Sequence, residues 1–383
     1  MCRDNIESEE IQMKKNCVGC GIELQTEYPN KDGYIQPSVL ESERTEHYCQ
    51  RCFKIKNYGT NIPVEVNKSD YRKEVTLAAD SAELALPVFD IIDFEGSFDD
   101  EILDILREKE SIIVINKLDL IPDDKHPSEV ANWVKNRLAE EGIAPLDIAI
   151  VSSKNGYGIN GIFKKINHFY PEGVEVVVMG VTNVGKSSII NRLLGQKLVT
   201  VSKYPGTTLK INRCQIPKTK ITLIDTPGLI PEGRVSDLVC GECNLKIIPS
   251  GEISRKTYKL DMDRVLFLGD LIQLRVTEIE EAKPIISVYA SKNVNFLETN
   301  VEKQKEYVLE KRVDIFKIPC EKCVDEYRAI KKKKELLTVH TGEELAFKGL
   351  GWITVKRGPL HVEVTMPEQV EGIIRPAFIK PKR

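Results

Sequence analysis

No run of apolar residues in this chain approaches the roughly 20 that a membrane-crossing helix needs; the nearest is VEVVVMGV at 174–181. The basic, apolar and small-residue order of a secretory signal is also missing from the first residues. Both absences point to a cytoplasmic protein with no membrane association. Net charge is slight, −3 over 383 residues, and no internal repeat is visible, so a repeat architecture is not expected. With 41% hydrophobic and 30% charged residues the composition is that of a soluble globular protein, and disorder is not the default. The length favours two or three domains, each able to bury its own core.

Cysteine, by contrast, is plentiful. Eight of the ten fall into four C-x-x-C pairs, a spacing that suits a metal far better than a disulfide framework and agrees with a reducing compartment. Cys17, Cys20, Cys49 and Cys52 form the paired-knuckle pattern of a zinc site, although their 28-residue spacer exceeds the usual length of about 15–20. Four thiolates close a tetrahedron, so such a site is structural and keeps no open position for catalysis. Simple buried cysteines are the alternative. His47 could replace a ligand but, standing alone, reads as a surface residue. Cys240 and Cys243 are separated from Cys320 and Cys323 by 76 residues; this set can form a second zinc site clamping the C-terminal region.

Charge is distributed unevenly. Residues 301–383 carry 18 Lys plus Arg against 13 Asp plus Glu, which leaves −8 on residues 1–300. The basic stretches KKKK at 331–334 and RPAFIKPKR at 375–383 could meet nucleic acid, or could be a solvated lysine face.

Three regions follow from the patterning. Residues 1–64 are polar and cysteine-rich, with a metal in place of a core. Residues 65–235 alternate apolar strand-like runs with amphipathic helical stretches, the pattern of a mainly parallel α/β sheet. Residues 236–383 change to strand-like alternation around a charged helical stretch at 299–314, which reads as a separate α+β module.

The second region contains GVTNVGKS at 180–187, a G-x-x-x-x-G-K-[ST] loop placed after a strand and opening a helix. Its candidate phosphate contacts are Gly180, Asn183, Val184, Gly185, Lys186, Ser187 and Ser188: glycines turn backbone N–H groups toward phosphates, Lys186 reaches the β and γ oxygens, and Ser187 can ligate Mg²⁺. DTPG at 225–228 offers Asp225 to Mg²⁺ through water and the Gly228 N–H to the γ-phosphate. YPGTT at 204–208 lies where a first switch belongs, with Thr208, then Thr207, as a further Mg²⁺ ligand. NKLD at 116–119 supplies Asp119, whose carboxylate can accept from guanine's ring N–H and amine together, a match that adenine cannot offer. Lys117 would pack over the base, and Asn116 would meet the purine's other edge or tie the phosphate loop. SSK at 152–154 fits a second base loop through Ser152, Ser153 and Lys154.

These elements occur in the order base reader, second base loop, phosphate loop, first switch, second switch. None is missing, so the expected domain is a circular permutation, in which old termini are joined and a different loop is opened. The chain leaving the second switch then runs into the C-terminal module, and residues 229–250 are expected to transmit nucleotide state.

The permuted order, the double C-x-x-C start, DIIDFEGSF at 90–98 and GLGWITV at 349–355 resemble the YqeH family of circularly permuted GTPases over nearly the whole chain. The resemblance implies a GTP-hydrolysing switch in assembly of the small (30S) ribosomal subunit, with 16S rRNA as a contact. A monomer is the expected state. Catalysis would fall to Lys186, Thr208, Asp225, Gly228 and Asn183. Leu229 and Ile230 follow Gly228 where many GTPases have a water-orienting Gln, so slow turnover is expected. Similar GTPases with an apolar residue there and an Asn in the loop often use K⁺, which assigns that role to Asn183; a loop cap is its other reading. A nucleotide-regulated RNA scaffold with incidental hydrolysis, and a small-molecule kinase, are the competing readings; the guanine-reading set argues against the kinase.

Overall fold

The computed structural model describes residues 15–17, 22–29, 31, 33–42, 47–50, 52–53, 68–121, 126–195, 212–249, 253–310 and 313–378. Cys20, the 204–208 segment with Thr207 and Thr208, and the basic tail from 379 onward lie outside these residues.

Six strands form the first sheet: Leu84–Asp90 (β1), Ile112–Asn116 (β2), Asp147–Ile150 (β3), Val174–Met179 (β4), Asn212–Gln215 (β5) and Ile221–Asp225 (β6). They lie in the order β3-β2-β1-β4-β6-β5, parallel throughout except for the antiparallel pair β5/β6. β1 and β2 are buried at every position, so they read as continuous apolar runs, because helices cover both faces of a parallel sheet. Those helices are Lys68–Asp80, Asp100–Glu108, Pro127–Glu140, Ile159–Phe169 and Lys186–Leu194. From β1 the chain builds outward through β2 to β3, then returns to β1's other side at β4, so the strand order reverses between β1 and β4. Ligands of open α/β sheets bind where that reversal leaves a crevice beyond the carboxyl ends of the strands. Pro87, which has no N–H, falls where β1's pairing passes from β4 (Leu84–Pro87) to β2 (Val88–Asp90).

The permutation leaves this sheet unbroken. β1 is entered from helix Lys68–Asp80, and the chain leaving β6 passes to ten further strands rather than back to β1. These are Ile253–Lys259 (β7), Arg264–Leu268 (β8), Ile272–Glu278 (β9), Ile285–Ser291 (β10), Phe296–Asn300 (β11), Lys332–Val339 (β12), Glu343–Phe347 (β13), Gly351–Arg357 (β14), Leu360–Pro367 (β15) and Gly372–Pro376 (β16). They make two antiparallel five-stranded sheets, β16-β13-β14-β10-β7 and β11-β8-β9-β15-β12, around one shared core that includes Leu266, Leu274, Val288, Ile353 and Val364. Short helices at Gly241–Ile247, Val301–Leu309, Val313–Phe316 and Val324–Ala329 lie between the strands. The expected single helical stretch at 299–314 is thus two short helices on either side of residues 311–312.

The first of these sheets docks on the nucleotide-domain core: Tyr289, Ala346 and Trp352 pack into it, with Tyr289 and Trp352 stacked at 5.0 Å. At the N-terminal end a small core gathers Cys17, Leu24, Ile35, Cys49 and Cys52. His47 is buried there, its Nε2 3.4 Å from Lys15 Nζ, which corrects the expectation of a surface residue: a module this small has few inward positions, and His47 occupies one of them.

The lysine run is not a bare basic stripe. It leads into and opens edge strand β12: Lys331, just before the strand, pairs with Glu368 (2.8 Å), and within it Lys333 pairs with Glu335 (2.7 Å) and Lys334 with Glu363 (2.9 Å). Lys332 donates to the Tyr327 carbonyl. Lysines on an edge strand also discourage pairing with another chain.

Candidate nucleotide-binding site

Four loops at the carboxyl ends of β2, β3, β4 and β6 converge on the crevice. Two glycines set the phosphate loop. Gly180 (φ +150°) lies so near β1 that a Cβ would stand 2.6 Å from the Val88 carbonyl oxygen, and Gly185 (φ +98°) so near Asn116 that a Cβ would stand 2.3 Å from its Nδ2. Any side chain there would push the loop away from the neighbouring strand ends. Helix Lys186–Leu194 then starts with no side-chain cap and no acidic residue in its first turn, leaving its N-terminal N–H groups for an anion.

Lys186 is buried, and its ammonium donates to the carbonyls of Gly180 (2.8 Å) and Val181 (3.1 Å). Burial lowers its pKa to about 8 against the pull of Asp225. Asp225 is 1% exposed, and neither carboxylate oxygen has a hydrogen-bond partner among the described residues. Its burial raises its pKa to about 6, with Lys186 opposing. Buried carboxylate oxygens without donors are costly; a divalent cation shared with nucleotide phosphates would satisfy them, and Ser187, in the first turn of the helix, carries a hydroxyl of the kind such a cation takes. The residues present therefore fit Mg²⁺.

Asn116 is buried and engages both ends of its amide. Its Nδ2 donates to the Val184 carbonyl (2.8 Å) and to Ser153 Oγ (3.1 Å), while its Oδ1 accepts from the Ser153 N–H (2.9 Å). Of the two roles expected for it, tying the loops is the one these bonds perform. Asp119 Oδ1 accepts from Ser152 Oγ at 2.6 Å, and Lys154 Nζ stands 3.8 Å from Oδ2. Lys117 adopts a left-handed backbone (φ 67°) and pairs with Asp90 at the end of β1.

Leu229 is buried, its side chain in the core rather than in the crevice. Its N–H donates to Gly180 O and its carbonyl accepts from Thr182 N (2.8 Å), so the second switch is bridged to the phosphate loop through backbone alone.

Sequence reasoning missed a second group of residues beside the loop. Arg234, 4% exposed, places Nη1 3.4 Å from Thr182 Oγ1 and Nε 3.7 Å from Asp93 Oδ2. Asp93 Oδ1 accepts from the Gly349 N–H at 2.8 Å. Burial raises the Asp93 pKa against the pull of Arg234. Gly349 needs its positive φ (+71°) and its lack of a side chain, since a Cβ would stand 2.6 Å from Ser236 Oγ. Here DIIDF, the segment beyond the second switch and GLGW meet. With Thr182, Asn183, Ile247, Ile248 and Leu350 they line a cleft behind the loop.

Comparison with known proteins agrees with this geometry. Over 377 residues, covering 95% of this chain and 99% of the relative, the chain is 30% identical to a Bacillus subtilis (strain 168) protein described as uncharacterized protein YqeH. The chain belongs to the YqeH family of circularly permuted GTPases. A family model described as "YqeH-like, C-terminal" matches residues 283–378, "RsgA GTPase" matches 101–232 and "50S ribosome-binding GTPase" matches 175–311. A putative nitric oxide synthase of Oryza sativa subsp. japonica is 24% identical over 94% of this chain and 76% of its own. GTPase Der of Caldanaerobacter subterraneus is 34% identical over 46% of this chain and 41% of its own. The chain is a GTPase, with GTP and GDP as its nucleotides and Mg²⁺ as their counter-ion. No helix among the described residues is long and apolar enough to cross a membrane.

Proposed function

We propose that this GTPase is a cytoplasmic, monomeric switch in assembly of the small ribosomal subunit, and that it contacts 16S rRNA. The observation that carries the switch reading is the path of the chain: from Asp225 through the bridged Leu229 to Arg234, which lies against the phosphate loop and the C-terminal sheets together. Membership of the YqeH family supports the ribosomal role.

In the catalytic cycle the Lys186 ammonium leaves the Gly180 and Val181 carbonyls for the β and γ oxygens of GTP. Ser187, Asp225 and Thr208, or Thr207, would hold Mg²⁺, which would neutralise phosphate charge. The Gly228 N–H faces the γ-phosphate. Ser152 and Lys154 orient Asp119 toward the guanine edge. With Leu229 buried, no side chain at that position orients water, so unassisted turnover lies on the order of 10⁻⁴ to 10⁻² s⁻¹. Asn183, whose backbone is left-handed in the loop (φ 69°), recruits K⁺ in compensation. Turnover that is equal in Na⁺ and K⁺ eliminates that role. Cys17, Cys20, Cys49 and Cys52 would hold a structural zinc; the first, third and fourth sulfurs lie within 4.8 Å of one another, and the Cys49 N–H donates to Cys17 Sγ.

The buried Leu229 also favours a second reading, an RNA-binding scaffold whose hydrolysis is incidental. Co-sedimentation with purified small and large ribosomal subunits, in GDP and in a non-hydrolysable GTP analogue, tests the assignment. Nucleotide-selective binding to the small subunit is expected. Binding to the large subunit alone, as the description "50S ribosome-binding GTPase" would suggest, refutes it. Single-turnover rates that small subunits leave unchanged favour the scaffold.

A further inference from the structure

Beyond the second switch the chain enters helix Gly241–Ile247, and four sulfurs meet at its start. Cys240 is the N-cap residue and Cys243 lies in the first turn, while Cys320 and Cys323 lead into helix Val324–Ala329. The Sγ separations are 3.6 Å for Cys240–Cys320, 3.9 Å for Cys320–Cys323 and 3.8 Å for Cys323–Cys243, and all four sulfurs lie within 4.8 Å of one another. A tetrahedron with Zn–S bonds of about 2.3 Å has S–S edges of about 3.8 Å, whereas a disulfide brings sulfurs to about 2.05 Å. The spacing is that of sulfurs around a shared ion. The Cys320 N–H also donates to Cys243 Sγ at 3.3 Å, a bond that favours a thiolate. Lys246 and Lys322 stand close by, both paired with Glu242, and their charge offsets part of that of a four-thiolate site.

The position of the cluster gives the ion a mechanical role. Asn244 Nδ2 donates to the Ser236 carbonyl (2.6 Å), joining the helix to the turn beyond Arg234, and Ile247 and Ile248 wall the cleft shared with Thr182 and Asn183. At its far end Ser291 Oγ of β10 donates to the Lys246 carbonyl. Apart from the ion, the segment after the switch meets the C-terminal sheets through the Val235 N–H, which donates to the Lys348 carbonyl (2.8 Å), and through this seven-residue helix.

We propose that Cys240, Cys243, Cys320 and Cys323 bind a second structural zinc, and that this ion staples the helix leaving the second switch to the C-terminal sheets. The staple's mechanical role rests on the switch reading above; the metal site itself does not.

Zinc counted by mass spectrometry in the full chain, purified without chelators, is expected at about two ions per chain. Cys240→Ser with Cys320→Ser, and separately Cys17→Ser with Cys49→Ser, should each lower the count to about one. A wild-type count near one that only the Cys17/Cys49 variant abolishes overturns the site. Cobalt substitution of the wild-type chain, in which a full second site doubles the tetrahedral thiolate absorption per chain, keeps the test valid if a variant misfolds. Limited proteolysis within 229–252, compared in GDP and GTP analogue, tests the staple. The C240S/C320S chain should still bind nucleotide but lose the nucleotide-dependent difference in cleavage; an unchanged difference overturns the mechanical role and leaves the metal count standing.

Discussion

Glu95 is, with Asp93, a carboxylate through which the nucleotide domain holds the C-terminal sheets. It lies in the turn after β1, 4% exposed, and accepts from Arg137 Nε (3.1 Å) and Nη2 (3.0 Å) on its own domain and from Arg375 Nη1 (3.1 Å) on β16. Glu95→Ala removes all three charge-assisted bonds. Breaking a buried ion pair costs about 3–5 kcal/mol. Neither arginine is left unpaired, however, since Arg137 keeps Glu140 and Arg375 keeps Glu344 at 2.8 Å, so the lower end, about 3 kcal/mol, is expected. Trp133, whose indole donates to the Pro376 carbonyl and lies under the Arg375 guanidinium, and Trp352, stacked on Tyr289, both sit at this junction. Tryptophan fluorescence in urea therefore reports the undocking, and with a slope of about 2 kcal/mol per M the midpoint should fall by about 1.5 M. Burial would raise the Glu95 pKa, but Arg137's hydrogen bond and the charges of Arg375 and Arg137 outweigh it and hold the carboxyl below 4.5. The stabilisation is thus complete above the unfolded value and is lost as pH falls through the folded one; Glu95→Gln should flatten this acid-side loss. If Glu95→Ala shifts the midpoint no more than Arg107→Ala, which breaks an exposed pair with Asp104, the reasoning is refuted.

Gly185→Ala adds a Cβ 2.3 Å from Asn116 Nδ2 at a positive φ, so GDP affinity measured by calorimetry should fall at least about tenfold; an unchanged affinity means that the loop can move away from Asn116 without consequence. In nucleotide-free protein the Asp225 pKa of about 6 makes stability fall as pH rises from the unfolded value near 3.8 through 6, and Asp225→Asn should remove that slope from thermal melts along with the Mg²⁺ enhancement of GTP binding. Replacing Lys331 and Lys334 by Ala should alter stability by less than about 1 kcal/mol, because both lysines are exposed in their ion pairs. It should also leave the salt dependence of subunit binding unchanged; a slope smaller by about one per lysine would show that they contact phosphate.

The sequence by itself marked the family and the candidate residues of the crevice. Phosphate loops, switch glycines and base readers depend on backbone conformation and residue type over a few consecutive positions, so GVTNVGKS, DTPG, NKLD and SSK stand out as candidates for these roles, and their rotated order declares the permutation. Helix and strand runs in the nucleotide domain were equally legible, since burial on both faces writes itself locally as apolar runs and amphipathic periods. What only the tertiary structure decided is how distant residues meet. Whether Asn116 reads the base or ties the loops depended on its distance to Val184 and Ser153. The lysine run is neutralised by carboxylates that β15 and the turn after it bring alongside. Asp93 meets Gly349 from 256 positions away and Glu95 meets Arg375 from 280. Four cysteines in two pairs say that sulfur is available; only folding brings the sulfurs within ångströms. Such contacts leave no period or spacing in the chain, because their energy comes from burial and pairing across the packed domains.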